Sequence, residues 1–343
     1  MAGHPSVWEK QRREEAVVRS KAFQKNIFLL LVLAALVIMA GAGYLLMDSK
    51  MHNPKLFRFV LSLRLPTLAV MLTAAFAIGA ASIIFQSVIN NRIVTPCLLG
   101  MNSMYTLVHT AVVFFAGSGS LLVTNSNLSF AVDLLIMAVT ATFIYGYLFR
   151  KTNHNVLYVL LIGTVLSSFF GSIQSTLVRI MDPNEYDSLL VSLVADFNNV
   201  NAEVIGFAVV LLGGLAFFLR KDLALLDVIT LGKDQAINLG VDYDRTIRRL
   251  LLGVVLCIAV ATAMVGPVSF LGLIIANLAR QSLNTYRHGL LIVGSALMGM
   301  LAIIAGQLVM EHVFSFAVPI STFITIGGGI YFLYLLLFKK GGN

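Results

Sequence analysis

The 343-residue chain is 58% hydrophobic and only 12% charged, with a formal net charge of +8. A typical soluble domain is about 25% charged, so this composition excludes an ordinary soluble protein and predicts an integral membrane protein. In such a protein the basic excess first sets orientation, so nucleic-acid binding is not expected. Cys97 and Cys257 lie in apolar stretches, which favours small buried side chains over a disulfide or a metal pair.

The chain begins with a polar segment, residues 1–26, followed by a charge-free apolar run from Ile27 to Met47. This run is long enough to span a bilayer, and a cleaved signal peptide, with its apolar core of about 7–15 residues, is the less favoured alternative. We expect the polar segment to lie in the cytoplasm, either as an interfacial amphipathic helix or as a frayed tail.

Nine further apolar stretches follow, separated by polar residues or by glycine and proline. Together they predict an all-α membrane protein with about ten transmembrane helices in residues 27–338 and a short cytoplasmic tail, 339–343. If both termini are cytoplasmic, 19 of the 24 lysines and arginines lie inside, which supports this count. The predicted spans are residues 27–47, 65–89, 97–116, 129–149, 156–179, 203–219, 246–265, 269–284, 289–310 and 318–338.

Few ionisable residues fall inside these spans. Asp133, Glu203 and Glu311 lie near predicted span ends, where side chains can reach the interface, and His109 is the one candidate deep within a helix. Because buried charges in a membrane are costly, this scarcity argues against a proton-driven carrier. We expect His109 to be a neutral, hydrogen-bonded core residue, with a proton-relay role as the alternative.

The long inner connection between the sixth and seventh spans is the most informative loop. We expect Leu225 to Leu239 to form a short helix along the membrane face, punctuated by Gly232 and Gly240. Such a helix could bind in a groove of a cytoplasmic partner, although physical chemistry alone favours an ordinary interfacial loop. The sequence lacks the Gly-Lys-Ser/Thr loop that holds phosphates, so any ATP hydrolysis would require another chain.

Four groups of residues then occur in order between residues 63 and 337. They are Arg64, Leu65, Pro66, Gln86, Asn91, Pro96, Leu98, Leu99, Gly100 and Ser103; Leu231, Gly232, Ala236, Leu239, Gly240 and Val241; Gly266, Pro267, Phe270, Gly272 and Leu273; and Pro319 and Gly328. With these motifs the chain resembles the FecCD family, the permease subunits of bacterial ABC importers for iron siderophores and cobalamin.

The resemblance implies a type II ABC importer permease bundle in the bacterial cytoplasmic membrane, which moves ferric siderophore by alternating access. It also implies three partners, namely a second, non-identical permease, a cytoplasmic ATPase dimer that holds ATP-Mg, and an extracytoplasmic substrate-binding protein. No catalytic residue, metal or cofactor is expected on this chain itself. The alternatives are the same architecture serving haem or cobalamin, or a stand-alone channel or ion-coupled carrier.

The same resemblance implies roles for three sets of residues. Coupling to the ATPase would involve the helix near 225–241, with Leu231, Gly232, Ala236, Leu239, Gly240 and Val241. Docking of the binding protein would involve Arg64, Arg58 and Lys55. The translocation path or gate would involve Gln86, Asn91, Ser103, Gly266 and Pro267.

The sequence departs from the family pattern at four places. Thr67 replaces a second arginine, Ala276-Asn277 replaces Pro-His, Ile330 replaces a proline, and Met310 to His312 lacks a basic residue found in some members. These departures concern docking contacts more than the fold, and they favour pairing with a non-identical permease.

Overall fold

The computed structural model describes residues 7–47, 54–151, 156–195, 197, 202–315 and 318–338, and all the regular elements in these residues are helical. The helices are α1 (Val7–Leu46), α2 (Pro54–Val88), α3 (Met101–Ala116), α4 (Leu121–Thr124), α5 (Ser126–Lys151), α6 (Val156–Ile180), α7 (Pro183–Leu193), α8 (Ala202–Ile229), α9 (Lys233–Asn238), α10 (Tyr243–Val265), α11 (Leu271–Ser282), α12 (His288–His312) and α13 (Ile320–Phe338), with a 3-10 helix at Pro96–Leu99. The predicted all-α fold is confirmed.

Each of the ten predicted spans coincides with one of these helices. Seven of the described helices, α1, α2, α5, α6, α8, α10 and α12, are long and apolar enough to cross a membrane. The helices α3 and α13 are shorter apolar segments, and α11 has only 12 residues. The protein is therefore a multi-pass membrane protein, while the number of complete crossings and the cytoplasmic position of both termini stay predictions.

Three predicted boundaries differ from the helix ends, because charged residues continue a helix rather than end it. The second span was expected to start at residue 65, yet α2 begins at Pro54 and runs through Lys55 and Arg58. The sixth span was expected to end at residue 219, yet α8 runs on to Ile229 through Asp222, whose carboxylate lies 3.7 Å from the Arg249 guanidinium of α10. Residues 7–26 belong to the same helix as the first span, so the described part of the polar segment is not a separate element. Residues 1–6 and 339–343 lie outside the described residues.

The centre of the bundle is formed by α2 packed against α10 and α12. In α2, 78% of the most apolar stretch is buried, and in α10 the share is 72%. The close packing depends on small residues, because a Cβ atom at Gly79 of α2 would lie 3.0 Å from the backbone nitrogen of Ala296 in α12. Helices in a membrane gain most of their association energy from this kind of close contact.

The helix α6 lies at the other extreme, with only 11% of its most apolar stretch buried. It touches the bundle along one narrow face, where a Cβ atom at Gly163 would come within 2.9 Å of Leu99 Cα in the 3-10 helix. Gly100 ends that 3-10 helix at a φ of +85°, where a Cβ atom would also meet the backbone of Ser167 at 3.0 Å. Among the α6 residues from Leu161 onward, large side chains such as Val165, Phe169 and Ile180 are exposed.

Both cysteines are free, and neither is exposed, although Cys97 is only partly buried. Cys257 is buried in α10, and the Cys97 sulfur lies 3.6 Å from the Val268 carbonyl oxygen. The prediction that they act as small packed side chains is confirmed.

Candidate functional site

The connection between α8 and α10, which is predicted to lie on the cytoplasmic side, is a compact turn–helix–turn segment. The expected single helix from Leu225 to Leu239 was wrong, because residues 225–229 form the end of α8 and α9 contains only Lys233–Asn238. The break lies at Gly232, whose φ of +105° is incompatible with a continuous helix. Gly240, with a φ of +82°, ends the segment before α10.

This segment, residues 230–241, exposes apolar side chains that a cytoplasmic domain could bind, and we name it the coupling segment. Leu231 and Leu239 are 52% and 64% exposed, and Ile237, which sequence reasoning missed, is 50% exposed. Ala236 is fully buried and holds α9 against its neighbours. The backbone NH of Val241 donates to the Ala236 carbonyl at 3.0 Å, which closes the segment.

The last turns of α8 hold this segment in place through two carboxylates. Asp222 approaches Arg249 of α10, as described above. Asp227 Oδ1 accepts hydrogen bonds from the His288 ring nitrogen Nδ1 at 2.6 Å and from the His288 backbone NH at 2.9 Å, at the start of α12. The exposed Lys233 and Asp244 form a further pair at 3.3 Å, but an ion pair this exposed contributes little to holding the segment. The coupling segment is therefore tied to both α10 and α12.

Two residues predicted for the path or gate stabilise the connection between α2 and α3 instead of lining an open surface of this chain. Gln86 is 1% exposed, and its Nε2 donates to the Arg92 carbonyl at 2.9 Å. Asn91 Oδ1 accepts the backbone NH of Ile93 at 2.9 Å. Arg280 of α11 completes this network by donating to Ser87 Oγ at 2.9 Å.

The other predicted path residues lie at close contacts between elements. Ser103 Oγ lies 2.8 Å from Ser167 Oγ of α6, so these hydroxyls connect α3 and α6. Gly266 has a φ of +83°, and a Cβ atom there would be 2.9 Å from Ala195 Cα. Pro267 follows it in the turn between α10 and α11. A role for these residues in a gate stays a prediction.

A stripe of hydroxyl groups on α6 was missed by sequence reasoning. Thr164, Ser168, Ser172 and Thr176 are all exposed, and their spacing of four residues places them on one helix face. Each hydroxyl donates to a carbonyl three or four residues earlier, with distances between 2.8 and 3.1 Å. The signal was present in the four-residue period of Ser and Thr. We call these four residues the hydroxyl stripe.

The structure changes the interpretation of the outer basic cluster. Lys55 and Arg58 are exposed near the start of α2, as a docking role requires. The Arg64 side chain is only 12% exposed, because its guanidinium donates to the carbonyls of Tyr44 and Met47, at 2.5 and 2.6 Å, and to Glu311 Oε1. Arg64 is thus engaged within the chain, and a docking role stays a prediction chiefly for Lys55 and Arg58.

A buried polar group connects α3, α5 and α7. His109 Nδ1 lies 2.7 Å from Asp133 Oδ2, and His109 Nε2 lies 2.9 Å from Ser192 Oγ. The hydrogen-bonded core position of His109 is confirmed. The placement of Asp133 at an accessible span end was wrong, because it is 2% exposed and its Oδ2 lies against the His109 ring. The spans therefore hold a buried ionisable pair that the sequence did not reveal.

Comparisons with known proteins agree with this arrangement. The model of the FecCD transport family matches residues 27–338. The petrobactin import system permease protein YclO of Bacillus subtilis is 37% identical over 81% of this chain and 89% of its own length. The petrobactin import system permease protein FatC of Bacillus anthracis is 28% identical over 96% of this chain and 94% of its own length.

A solved structure shares the fold. It shows an inward-facing conformation of a protein described as a metal-chelate type ABC transporter, with a TM-score of 0.76 and 22% identity, and covers 91% of this chain and 99% of its own. The family match covers far more than half of the sequence, and the helices it spans are those that form the bundle. The chain belongs to the FecCD transport family.

Proposed function

We propose that this chain is a permease subunit of a bacterial ABC importer that carries ferric siderophore across the cytoplasmic membrane. The observation that carries this proposal is the 37% identity to a petrobactin import permease across 81% of the chain. The multi-pass helical bundle and the exposed coupling segment support the proposal, since a transport subunit that does not hydrolyse ATP itself needs a surface that binds an ATPase. Energy would come from ATP-Mg held by a separate ATPase dimer.

The proposed cargo is a ferric chelate of the petrobactin class, because two of the relatives are named for petrobactin import. The hydroxyl stripe on α6 suits such a polar cargo. Its groups are already hydrogen-bonded to their own helix, so they present weak acceptors without fixed charge, and a chelate can pass without being held tightly.

The proposed partners follow from the three open surfaces. A second permease would face α6 and enclose a path along the hydroxyl stripe, and motion between the two subunits would give alternating access. The ATPase dimer would bind the coupling segment through Leu231, Ile237 and Leu239. A binding protein with acidic side chains would dock near Lys55 and Arg58, where exposed charges mainly accelerate association.

Reconstitution tests this proposal. The chain is coexpressed with its second permease and ATPase, placed in liposomes, and supplied with the binding protein and labelled ferric petrobactin. We expect uptake that requires both ATP and the binding protein. Preferred uptake of haemin or cobalamin would show that one of these compounds, and not the siderophore, is the cargo. Uptake that needs neither ATP nor a second chain would contradict the importer and favour a channel or ion-coupled carrier.

The coupling segment has a test of its own in Gly240→Val. The left-handed conformation at Gly240 costs a branched residue about 1–2 kcal/mol, so the segment should shift although a Cβ atom there meets nothing within 4 Å. We expect ATP hydrolysis stimulated by the binding protein to fall several-fold while expression persists. Gly206→Val, at an equally open position within α8, is the control. Normal stimulation in Gly240→Val would remove the segment from the ATPase contact.

A further inference from the structure

The helix α12 is held by a carboxylate contact at each of its ends. At His288, the first residue of α12, the partner is Asp227 of α8, which belongs to the turn that leads into the coupling segment. At Glu311, in the last turn, the partner is Arg64 of α2.

The inner contact fixes both position and orientation. One oxygen of Asp227 accepts from the ring and from the backbone NH of His288, so it caps the start of α12 as well as binding its side chain. The His288 side chain is 6% exposed and that of Asp227 is 39% exposed, so water competes only at the open side of the carboxylate. A displacement of the end of α8 must therefore displace the start of α12.

The outer contact joins three helices. The Arg64 guanidinium binds Glu311 of α12 and also the Tyr44 and Met47 carbonyls at the end of α1, and the side chains of Arg64 and Glu311 are only 12% and 16% exposed. Lys55 and Arg58, the proposed docking residues, lie on the same helix as Arg64, within the three turns before it. The last turn of α12 is therefore fixed to the helix that begins at the proposed docking surface.

Between these contacts α12 is a continuous helix of 25 residues, about 38 Å long. It packs backbone to backbone on α2 at Gly79. A rigid helix with fixed ends transmits displacement from one end to the other, because packed interiors do not deform continuously.

We propose that α12 transmits conformational change between the ATPase contact and the outer docking surface, with Asp227–His288 and Arg64–Glu311 as its two clamps. This inference rests on the proposed function, because it requires an ATPase at the coupling segment and a binding protein outside. Asp227 and Glu311 are positioning residues, since they act through α12 and contact neither cargo nor nucleotide.

A double-mutant cycle in the reconstituted complex tests the inference, with Asp227→Asn, Glu311→Gln and the double variant. Basal ATP hydrolysis, its stimulation by the binding protein, and the thermal midpoint of each complex are measured. We expect each single variant to retain basal hydrolysis and to lose stimulation about 5-fold, the size of a typical coupling between sites. The double variant should lose no more stimulation than the more severely affected single variant, because both changes interrupt one route.

Two results would overturn the inference. Losses that multiply in the double variant, to about 25-fold, would show two independent local effects, since uncoupled sites contribute additively in free energy. Unchanged stimulation in either single variant would show that its clamp is not needed. Should Asp227→Asn fail to assemble, His288→Asn, which removes the ring and can keep the backbone contact, enters the cycle under the same criteria.

The control is Asp244→Asn, which removes the exposed Lys233–Asp244 pair beside the coupling segment but touches neither end of α12. It should leave stimulation unchanged, and a loss equal to that of Asp227→Asn would make charge near the segment, not α12, responsible. A wild-type complex that hydrolyses ATP but transports no chelate and shows no stimulation by its binding protein would instead overturn the proposed function, and the inference with it.

Discussion

The helices α2 and α6 are both long and apolar, yet the fold uses them in opposite ways. In α2 small residues such as Gly79 bring neighbouring backbones into contact, and most of its surface is buried. In α6 large side chains such as Phe169 and Val165 are exposed, and the hydroxyl stripe lies among them. Both helices are apolar enough to span a membrane, although the mean hydropathy of α2 is 2.3 and that of α6 only 1.4. The size and period of their residues show which helix is completed within the chain.

The physical basis of this difference is the bilayer as solvent. Lipid is as apolar as leucine, so burial of large side chains does not drive helix association, and close van der Waals packing does. An exposed hydroxyl that already donates to its own helix costs little in lipid and remains able to accept from a polar cargo. The surface of α6 is therefore compatible with a partner or with a water-filled path, whereas that of α2 is compatible only with its present neighbours.

The largest expected effect concerns α3, the helix that packs between α5 and α6. In His109→Leu, Asp133 would keep a buried carboxylate without its partner at 2.7 Å, which typically costs about 3–5 kcal/mol. We expect a clear fall in the thermal midpoint of the detergent-solubilised protein. The double variant His109→Leu/Asp133→Leu should recover much of this loss. A double variant less stable than the single one would show that packing, not charge, sets the effect.

The next effect compares two glycines directly. Gly79→Val forces a branched side chain against the α12 backbone, and overpacking of this kind costs about 1–3 kcal/mol. Gly171→Val on α6 places the same side chain where no atom lies within 4 Å. We expect a lower thermal midpoint for the first variant only. Equal falls in the thermal midpoint of the isolated subunit would show that α6 is packed as tightly as α2 and would contradict the contrast between the two helices.

The smallest effect on stability, but a real one on transport, is expected for the hydroxyl stripe. Ser168→Leu and Ser172→Leu should leave the thermal midpoint unchanged, since both side chains are exposed, and should lower chelate uptake several-fold by removing acceptors from the path. Ser62→Leu, at an exposed and similarly back-bonded serine of α2, is the matched variant that should keep normal uptake. Normal uptake in all three would place the stripe against lipid.

The helical elements could be predicted from sequence because their signals are local. Apolar runs, their punctuation and the distribution of lysine and arginine locate the ten helices that match predicted spans, whereas α4 and α7 were not predicted. Leu231 and Leu239 were assigned to coupling only through the family resemblance, and their exposure is a finding of the structure. The break at Gly232 was underestimated, because a glycine can lie within a helix or end it, and only its φ decides between the two.

The ionic contacts could not be predicted, since each joins residues distant in sequence. Glu311 looked like an interfacial residue, yet it is the partner of Arg64, 247 positions earlier. His109 and Asp133 each looked like an isolated side chain until α3 and α5 brought them together. The missing basic residue at Met310 to His312 could be connected with the internal Arg64–Glu311 contact only once the helix packing was known.

Neither free cysteine is exposed, since Cys257 is buried and Cys97 is partly buried, and this makes the protein a convenient subject for spectroscopy. Cys257 is 7% exposed and Cys97 lies against the Val268 carbonyl, so neither native thiol offers an easy target for a bulky maleimide or methanethiosulfonate reagent. A single cysteine introduced at an exposed α6 position such as Ser172 would therefore carry a spin label or fluorophore with little background. The mobility and water accessibility of such a probe, followed through the nucleotide cycle of the proposed ATPase, would report when this face of α6 is exposed to water.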